Sequence, residues 1–118
     1  MIKSYSGILD FADDGTHDFI KVTRLIVRGV DVSFHGIATW NMETRWDLDT
    51  IARPDGGMYV SSPTCPKQGS EAGNPVVLCL SKLEPTQDGL FVEGSWTMSG
   101  NSYAFSGELD PLSLNDQR

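Results

Sequence analysis

The stretch VEGSWTMSGNSYAFSGEL, residues 92–109, decides the fold, because it reads as two alternating runs joined by a short turn. In a β-strand every second side chain points to the same face of the sheet. If Gly100 and Asn101 form a two-residue turn, we predict that Trp96 lies opposite Phe105. The hairpin therefore places its large side chains on one buried face.

Strand patterns recur along the rest of the chain. Runs of β-branched and aromatic residues alternate with clusters of Gly, Pro, Asn and Asp, and no helical periodicity is found. A single long connection is predicted at residues 62–75. The predicted strands lie near residues 3–11, 18–28, 30–40, 45–53, 57–62, 76–84, 90–99 and 102–110.

The predicted turns preserve one inward face from strand to strand. The motif RPDGG, residues 53–57, predicts a three-residue hairpin loop that sets Ala52 opposite Met58. An odd-length loop after Trp40 sets that ring opposite Trp46. A shared face matters because a slip of one residue turns every side chain of a strand to the other side.

The same face extends to both ends of the chain. Even-numbered positions of strands within residues 30–98 are predicted to point inward. The first hairpin sets Leu9 against Ile20, and the inward phase then changes along its second strand. Such a change predicts a β-bulge near Thr23 and Arg24.

These strands predict an all-β fold. About eight sequential antiparallel strands with one apolar face must close on themselves or stack, since an open sheet leaves that face in water. Short connections favour an antiparallel up-and-down barrel, and a β-sandwich with residues 62–75 as its crossing connection is the alternative. A chain of 118 residues fits one domain. We expect a single barrel domain at residues 1–110 and a flexible tail at residues 111–118.

Composition limits the partners and the compartment. The net charge of −7 disfavours nucleic acid and anionic membranes as partners. No apolar run approaches the roughly 20 residues of a membrane-spanning helix, and no signal peptide is recognisable, so a cytoplasmic location is expected. There Cys65 and Cys79 are expected as free thiols, whereas an oxidising compartment would allow them to pair.

The predicted interior sets glycines and alanines among large aromatic rings. One interpretation is a pocket for a small, largely apolar or aromatic molecule. The alternative is that the glycines relieve crowding where bent strands cross and that rings pack over them. No cofactor is predicted. The candidate ligand-binding residues are Phe34, Trp40, Trp46, Trp96, Tyr103 and Phe105.

One hairpin carries a family resemblance. Residues 96–108 resemble a hairpin of the avidin and streptavidin barrels, in which a Trp is followed nine residues later by an aromatic residue and then by Ser or Thr and Gly. The resemblance implies an eight-stranded up-and-down barrel that assembles as an oligomer and binds a ligand at one end. It also implies that Trp96 and Phe105 are walls of that site. Because Leu9 stands where the family has its opening Trp, the resemblance supports the barrel and not biotin as the ligand.

Catalytic and metal-binding patterns are sparse. The acidic string at residues 10–18 departs from the EF-hand template and is interpreted as a solvated turn. His35, Asp47 and Asp49 share the outward face and could serve acid and base roles, or simply form a surface charge ladder. Neither a catalytic residue nor a metal site is assigned.

The outward face also carries apolar residues. Ile37, Ile51 and Tyr59 are predicted to neighbour one another, which suggests a contact surface for a homo-oligomer. Three functional classes therefore stay open. A ligand-binding barrel is preferred over a homo-oligomeric interaction or adaptor protein without a ligand, and an enzyme of unknown reaction comes last.

Overall fold

In the computed structural model the described residues are 3–12, 18–40 and 43–112, and they form strands and connections without a helix. Ten strands lie within these described residues: eight begin and end close to the predicted positions, and two short ones lie inside the predicted connection at residues 62–75. They are β1 Lys3–Phe11, β2 Phe19–Val27, β3 Val32–Trp40, β4 Thr44–Asp55, β5 Met58–Ser61, β6 Lys67–Gln68, β7 Glu71–Ala72, β8 Val76–Pro85, β9 Leu90–Met98 and β10 Asn101–Pro111.

Eight of the strands close into an antiparallel barrel in the order β1, β2, β3, β4, β5, β8, β9, β10. The last strand pairs back onto β1, for example Phe105 with Phe11, so that within the described ranges each of the eight barrel strands has a partner on both sides. The predicted all-β barrel is thereby confirmed, and a sandwich is excluded. The long connection holds the small β6–β7 hairpin, which joins β4 through the pair Asp47 and Lys67.

The buried face of the barrel is continuous. One cluster of buried apolar side chains includes residues from seven of the barrel strands, and β5 adds Tyr59, which packs against that cluster. Leu9, Ile20 and Leu48 have no exposed surface. Burial of this kind is the main force that favours the closed barrel over an open sheet.

The predicted β-bulge in the second strand is confirmed. The β2–β3 register shifts between Val22 and Arg24, while Leu9 pairs with Ile20 as expected. A further register shift, which was not predicted, lies in β8 between Leu80 and Lys82. After this shift, odd-numbered instead of even-numbered positions of β8 point inward, as Leu83 does.

The β9–β10 turn lies one residue earlier than predicted. Ser99 and Gly100, with φ of 55° and 79°, occupy the turn, and Asn101 already pairs with Met98. Two consecutive residues with positive φ are the signature of a type I′ turn, whose twist suits a hairpin.

This turn moves the register by two residues. Trp96 pairs with Tyr103 rather than with Phe105, and Phe105 pairs with Gly94. A shift of two keeps every side chain on its predicted face. Glu93 consequently pairs with Ser106.

Two further hairpins depart from prediction. Ala38 pairs with Trp46, a shift of two that again preserves the faces. At the next turn Gly56 and Gly57 both have positive φ, so Ala52 pairs with Ser61 and not with Met58. This odd shift reverses the faces of β5, and the predicted inward phase is wrong there.

The predicted tail at residues 111–118 falls largely outside the described residues, although Pro111 still pairs with Tyr5. Among the residues that the structure describes, no helix is long and apolar enough to span a membrane.

Candidate functional site

Five rings meet at one end of the barrel, where β1 and β3 end and the β9–β10 hairpin turns. Phe11 stacks on Trp40 with ring centroids 5.4 Å apart and 24° between the planes. Trp40 meets Trp96 edge to face at 5.5 Å and Tyr103 at 6.2 Å. Phe105 meets Phe11 edge to face at 6.2 Å. We refer to Phe11, Trp40, Trp96, Tyr103 and Phe105 as the aromatic cluster.

The aromatic cluster has a buried floor and a partly exposed rim. Trp96 and Phe105 are 0% and 2% exposed, whereas Trp40 and Tyr103 are only half-buried. Met98, at the end of β9, is half-buried beside the rim. Apolar surface with large rings therefore reaches solvent at this end of the barrel.

The indole of Trp96 carries an unsatisfied polar group. Within the described part of the chain, no atom accepts a hydrogen bond from Trp96 Nε1–H, although the side chain is fully buried. A buried donor left without an acceptor costs about 1–3 kcal/mol, so native proteins rarely keep one without a reason.

The structure brings together four of the six predicted ligand-binding residues, which are Trp40, Trp96, Tyr103 and Phe105. Phe34 is buried elsewhere in the interior, where its ring covers Gly36; a Cβ on Gly36 would lie 2.9 Å from that ring. Trp46 packs against Gly73 beside the β6–β7 hairpin.

Phe11 belongs to the cluster but was missed. The pattern that could have identified Phe11 is the alternation along β1. Leu9 and Phe11 lie two residues apart and therefore share the inward face. The predicted inward face of β1 extended only as far as Leu9.

The predicted contact surface on the outer wall is not contiguous. Ile37 lies opposite Asp47, whereas Ile51 lies four residues further along β4, opposite Ser33, and is 42% exposed. The expected position of Tyr59 is wrong, because the Gly56–Gly57 turn points this ring inward against the core.

The remaining reactive groups are two thiols and scattered acidic side chains. Cys65 and Cys79 are free thiols. Across residues 3–12, 18–40 and 43–112, no group of three or more His, Cys, Asp or Glu side chains could hold a metal ion. Much of the acidic turn at residues 10–18 lies outside the described residues.

The chain matches no protein-family model, no curated protein and no solved structure. Its closed antiparallel barrel of eight strands is consistent with a calycin-like barrel.

Proposed function

We propose that the protein binds a small, largely apolar or aromatic molecule at the aromatic end of the barrel interior. The observation that carries this proposal is the unsatisfied Nε1–H of Trp96 in the floor of the aromatic cluster. Ligand sites commonly combine apolar walls with a few placed polar groups. The bound molecule accordingly carries a hydrogen-bond acceptor that reaches this indole.

The rim supplies the apolar contacts. Trp40 and Tyr103 offer partly exposed ring faces, and an aromatic pair contributes about 0.5–1.5 kcal/mol beyond its buried area. An eight-stranded barrel leaves room for side chains or one small ligand. Since Phe105 and Trp96 already fill the floor and Trp96 has no exposed surface, the ligand contacts the rings of the rim and reaches the indole N–H once the side chains over it move aside.

The hairpin resemblance supports a site at the end of the barrel. In the avidin-like barrels the residues corresponding to Trp96 and Phe105 belong to the ligand walls, and both lie in the aromatic cluster here. The resemblance is confined to one hairpin and does not identify the ligand.

Quinoline and naphthalene form a matched pair of probes, since they share a shape and only quinoline has a hydrogen-bond acceptor. We expect quinoline to bind about 2–13-fold more tightly, which corresponds to the 0.5–1.5 kcal/mol of one net hydrogen bond. NMR titration of the indole N–H signals gives both affinities and shows whether the Trp96 signal moves.

Trp96→Phe tests the role of the indole. This variant is expected to bind the two probes equally, because the ring stays and the donor is lost. Trp46→Phe is the control and keeps the preference for quinoline. If neither probe shifts a signal of the aromatic cluster, or if Trp96→Phe still prefers quinoline, the proposal is wrong.

A further inference from the structure

The outer wall of the barrel carries a hydrogen-bonded chain of three side chains. Thr23 Oγ1 and His35 Nδ1 form a hydrogen bond, and His35 Nε2 lies 2.6 Å from Asp47 Oδ1. The side chains of His35 and Asp47 are 36% and 49% exposed. This chain of groups faces away from the interior and is separate from the aromatic cluster.

The bulge in β2 builds this arrangement. Thr23 has no partner in the β2–β3 ladder, because the register passes from Val22 directly to Arg24. Arg24 pairs with His35, and Thr23 lies beside this pair with its hydroxyl on the imidazole. Bulges often re-aim a side chain in this way next to active sites.

The hydrogen-bond partners suit both protonation states of His35. In the neutral state Nε2–H donates to Asp47, so Nδ1 is free to accept the proton of the Thr23 hydroxyl. In the imidazolium Nδ1–H donates to Thr23 Oγ1. The hydroxyl then donates to the main-chain carbonyl oxygen of His35, 3.1 Å away. Proton transfer between Oγ1 and Nδ1 therefore needs no movement of Asp47.

The hydroxyl opens onto a groove. Thr23 and His35 line a cavity of about 410 Å³ together with Arg24, Arg28 and the carboxylate of Asp49. In the described ranges, neither guanidinium lies within 4.0 Å of a carboxylate. A free guanidinium recognises carboxylates and phosphates through paired N–H donors. With two guanidinium groups against the one carboxylate of Asp49, the groove has a net positive charge next to a hydroxyl that has a base beside it.

We propose that Thr23, His35 and Asp47 form a catalytic triad that hydrolyses small carboxylic esters bearing an anionic group. Thr23 is the nucleophile and His35 the general base, while Asp47 is a positioning residue that fixes the imidazole tautomer. Arg24, directly across from His35, binds the anionic group or stabilises the oxyanion.

The reaction takes place in two balanced steps. Thr23 Oγ1 attacks the ester carbonyl carbon and its proton moves to His35 Nδ1. The bond between that carbon and the alcohol oxygen then breaks, and the imidazolium protonates the departing alcohol. Water attacks the resulting acyl-threonine ester and gives a proton to Nδ1, which returns it to Oγ1 as the acid leaves. The net change is ester and water to acid and alcohol.

The test uses the full chain with the monoanionic ester mono-4-nitrophenyl succinate and the neutral ester 4-nitrophenyl butyrate. We expect wild-type protein and Thr23→Ser to release nitrophenol above the buffer rate. Thr23→Val lacks the hydroxyl at nearly the same volume and is expected to lose about 100-fold or more. Thr97→Val, on the outer face of β9, is the matched control and keeps the wild-type rate.

Two further readouts separate catalysis from a structural role. Quenched reactions are expected to show one succinyl group on the peptide that contains Thr23. Asp47→Asn is expected to lower kcat rather than to raise KM, since the imidazole loses the carboxylate that fixes its tautomer. Arg24→Gln is expected to raise KM for the succinate ester more than for the butyrate ester.

The proposal is overturned if the wild-type protein does not exceed the buffer rate with either ester. It is also overturned if Thr23→Val, folded as judged by its NMR spectrum, hydrolyses the succinate ester like wild type. A succinyl group found only on other residues has the same consequence.

Discussion

Gly94→Ala is the substitution whose loss of folding stability the structure predicts most specifically. Gly94 lies on β9 opposite Phe105, at a position where no side chain fits. A Cβ there would lie 2.1 Å from the carbonyl oxygen of Cys79 and 2.9 Å from Cζ of Phe105. The first contact is with the backbone of β8, which the β8–β9 ladder holds in place.

The magnitude follows from these contacts. Raising the 2.1 Å contact to 3.0 Å requires a backbone movement of 3.0 − 2.1 = 0.9 Å. Overpacking of this kind costs about 1–3 kcal/mol, and a displaced ladder hydrogen bond adds about 0.5–1.5 kcal/mol. The smaller freedom of alanine in the unfolded chain offsets about 0.4–1 kcal/mol. Together these ranges span roughly 0.5–4 kcal/mol, so we expect the free energy of unfolding to fall by about 2 kcal/mol and Tm to fall by roughly 10 °C.

Urea denaturation followed by tryptophan fluorescence measures this loss. Ser95→Ala, one residue further on β9 and on the outer face, is the control and is expected to change stability by less than about 0.5 kcal/mol. Combining Gly94→Ala with Phe105→Leu removes the ring atoms from the clash. The double variant should therefore lose about 0.5–1 kcal/mol less stability than the sum of the two single losses. An alanine at position 94 that leaves the unfolding midpoint unchanged would refute the β8–β9–β10 packing described above.

Two other predictions test the turns and the buried polar groups, both by urea denaturation. Gly56 has a φ of 59° and open space around a Cβ, so Gly56→Asn should stabilise by about 0.5 kcal/mol. Gly57→Val, which places a branched side chain at a φ of 87°, should destabilise by about 1–2 kcal/mol; equal effects at both sites would contradict a type I′ turn. Ser61→Ala removes the oxygen that accepts a buried hydrogen bond from Leu78 N at 2.8 Å and should cost about 1–3 kcal/mol, whereas no loss would mean that Leu78 N finds another acceptor.

The strand positions and the inward face were predictable because both depend on local signals. Alternation along residues 92–109 is visible without knowledge of the fold, and Gly, Asn and Asp mark where strands must end. The bulge near Thr23 was predictable for the same reason, since the apolar phase changes within a single strand. Closure of β10 onto β1 followed from the absence of any helix pattern to cover the face.

Register was harder to predict, because adjacent residues can form equally acceptable turns. Ser99–Gly100 and Gly100–Asn101 are both plausible two-residue turns, and either one keeps Trp96 inside. The choice between them depends on packing against other strands, such as the ring of Phe105 over Gly94, which the hairpin sequence alone does not contain.

Whether a register error spans an even or an odd number of residues decides whether the predicted side chains still point into the candidate site. Errors of two residues left Trp40 and Trp96 facing the interior, so most of the predicted ligand residues still met in one cluster. The odd error after Gly57 reversed β5 and moved Tyr59 from the expected outer surface to the inner face, where it packs against the core. The contact between Thr23 and His35 depends on register in a further way, because it exists only where a bulge interrupts the ladder. An alternating pattern therefore predicts which side chains share a compartment, whereas contacts between particular groups require the closed barrel.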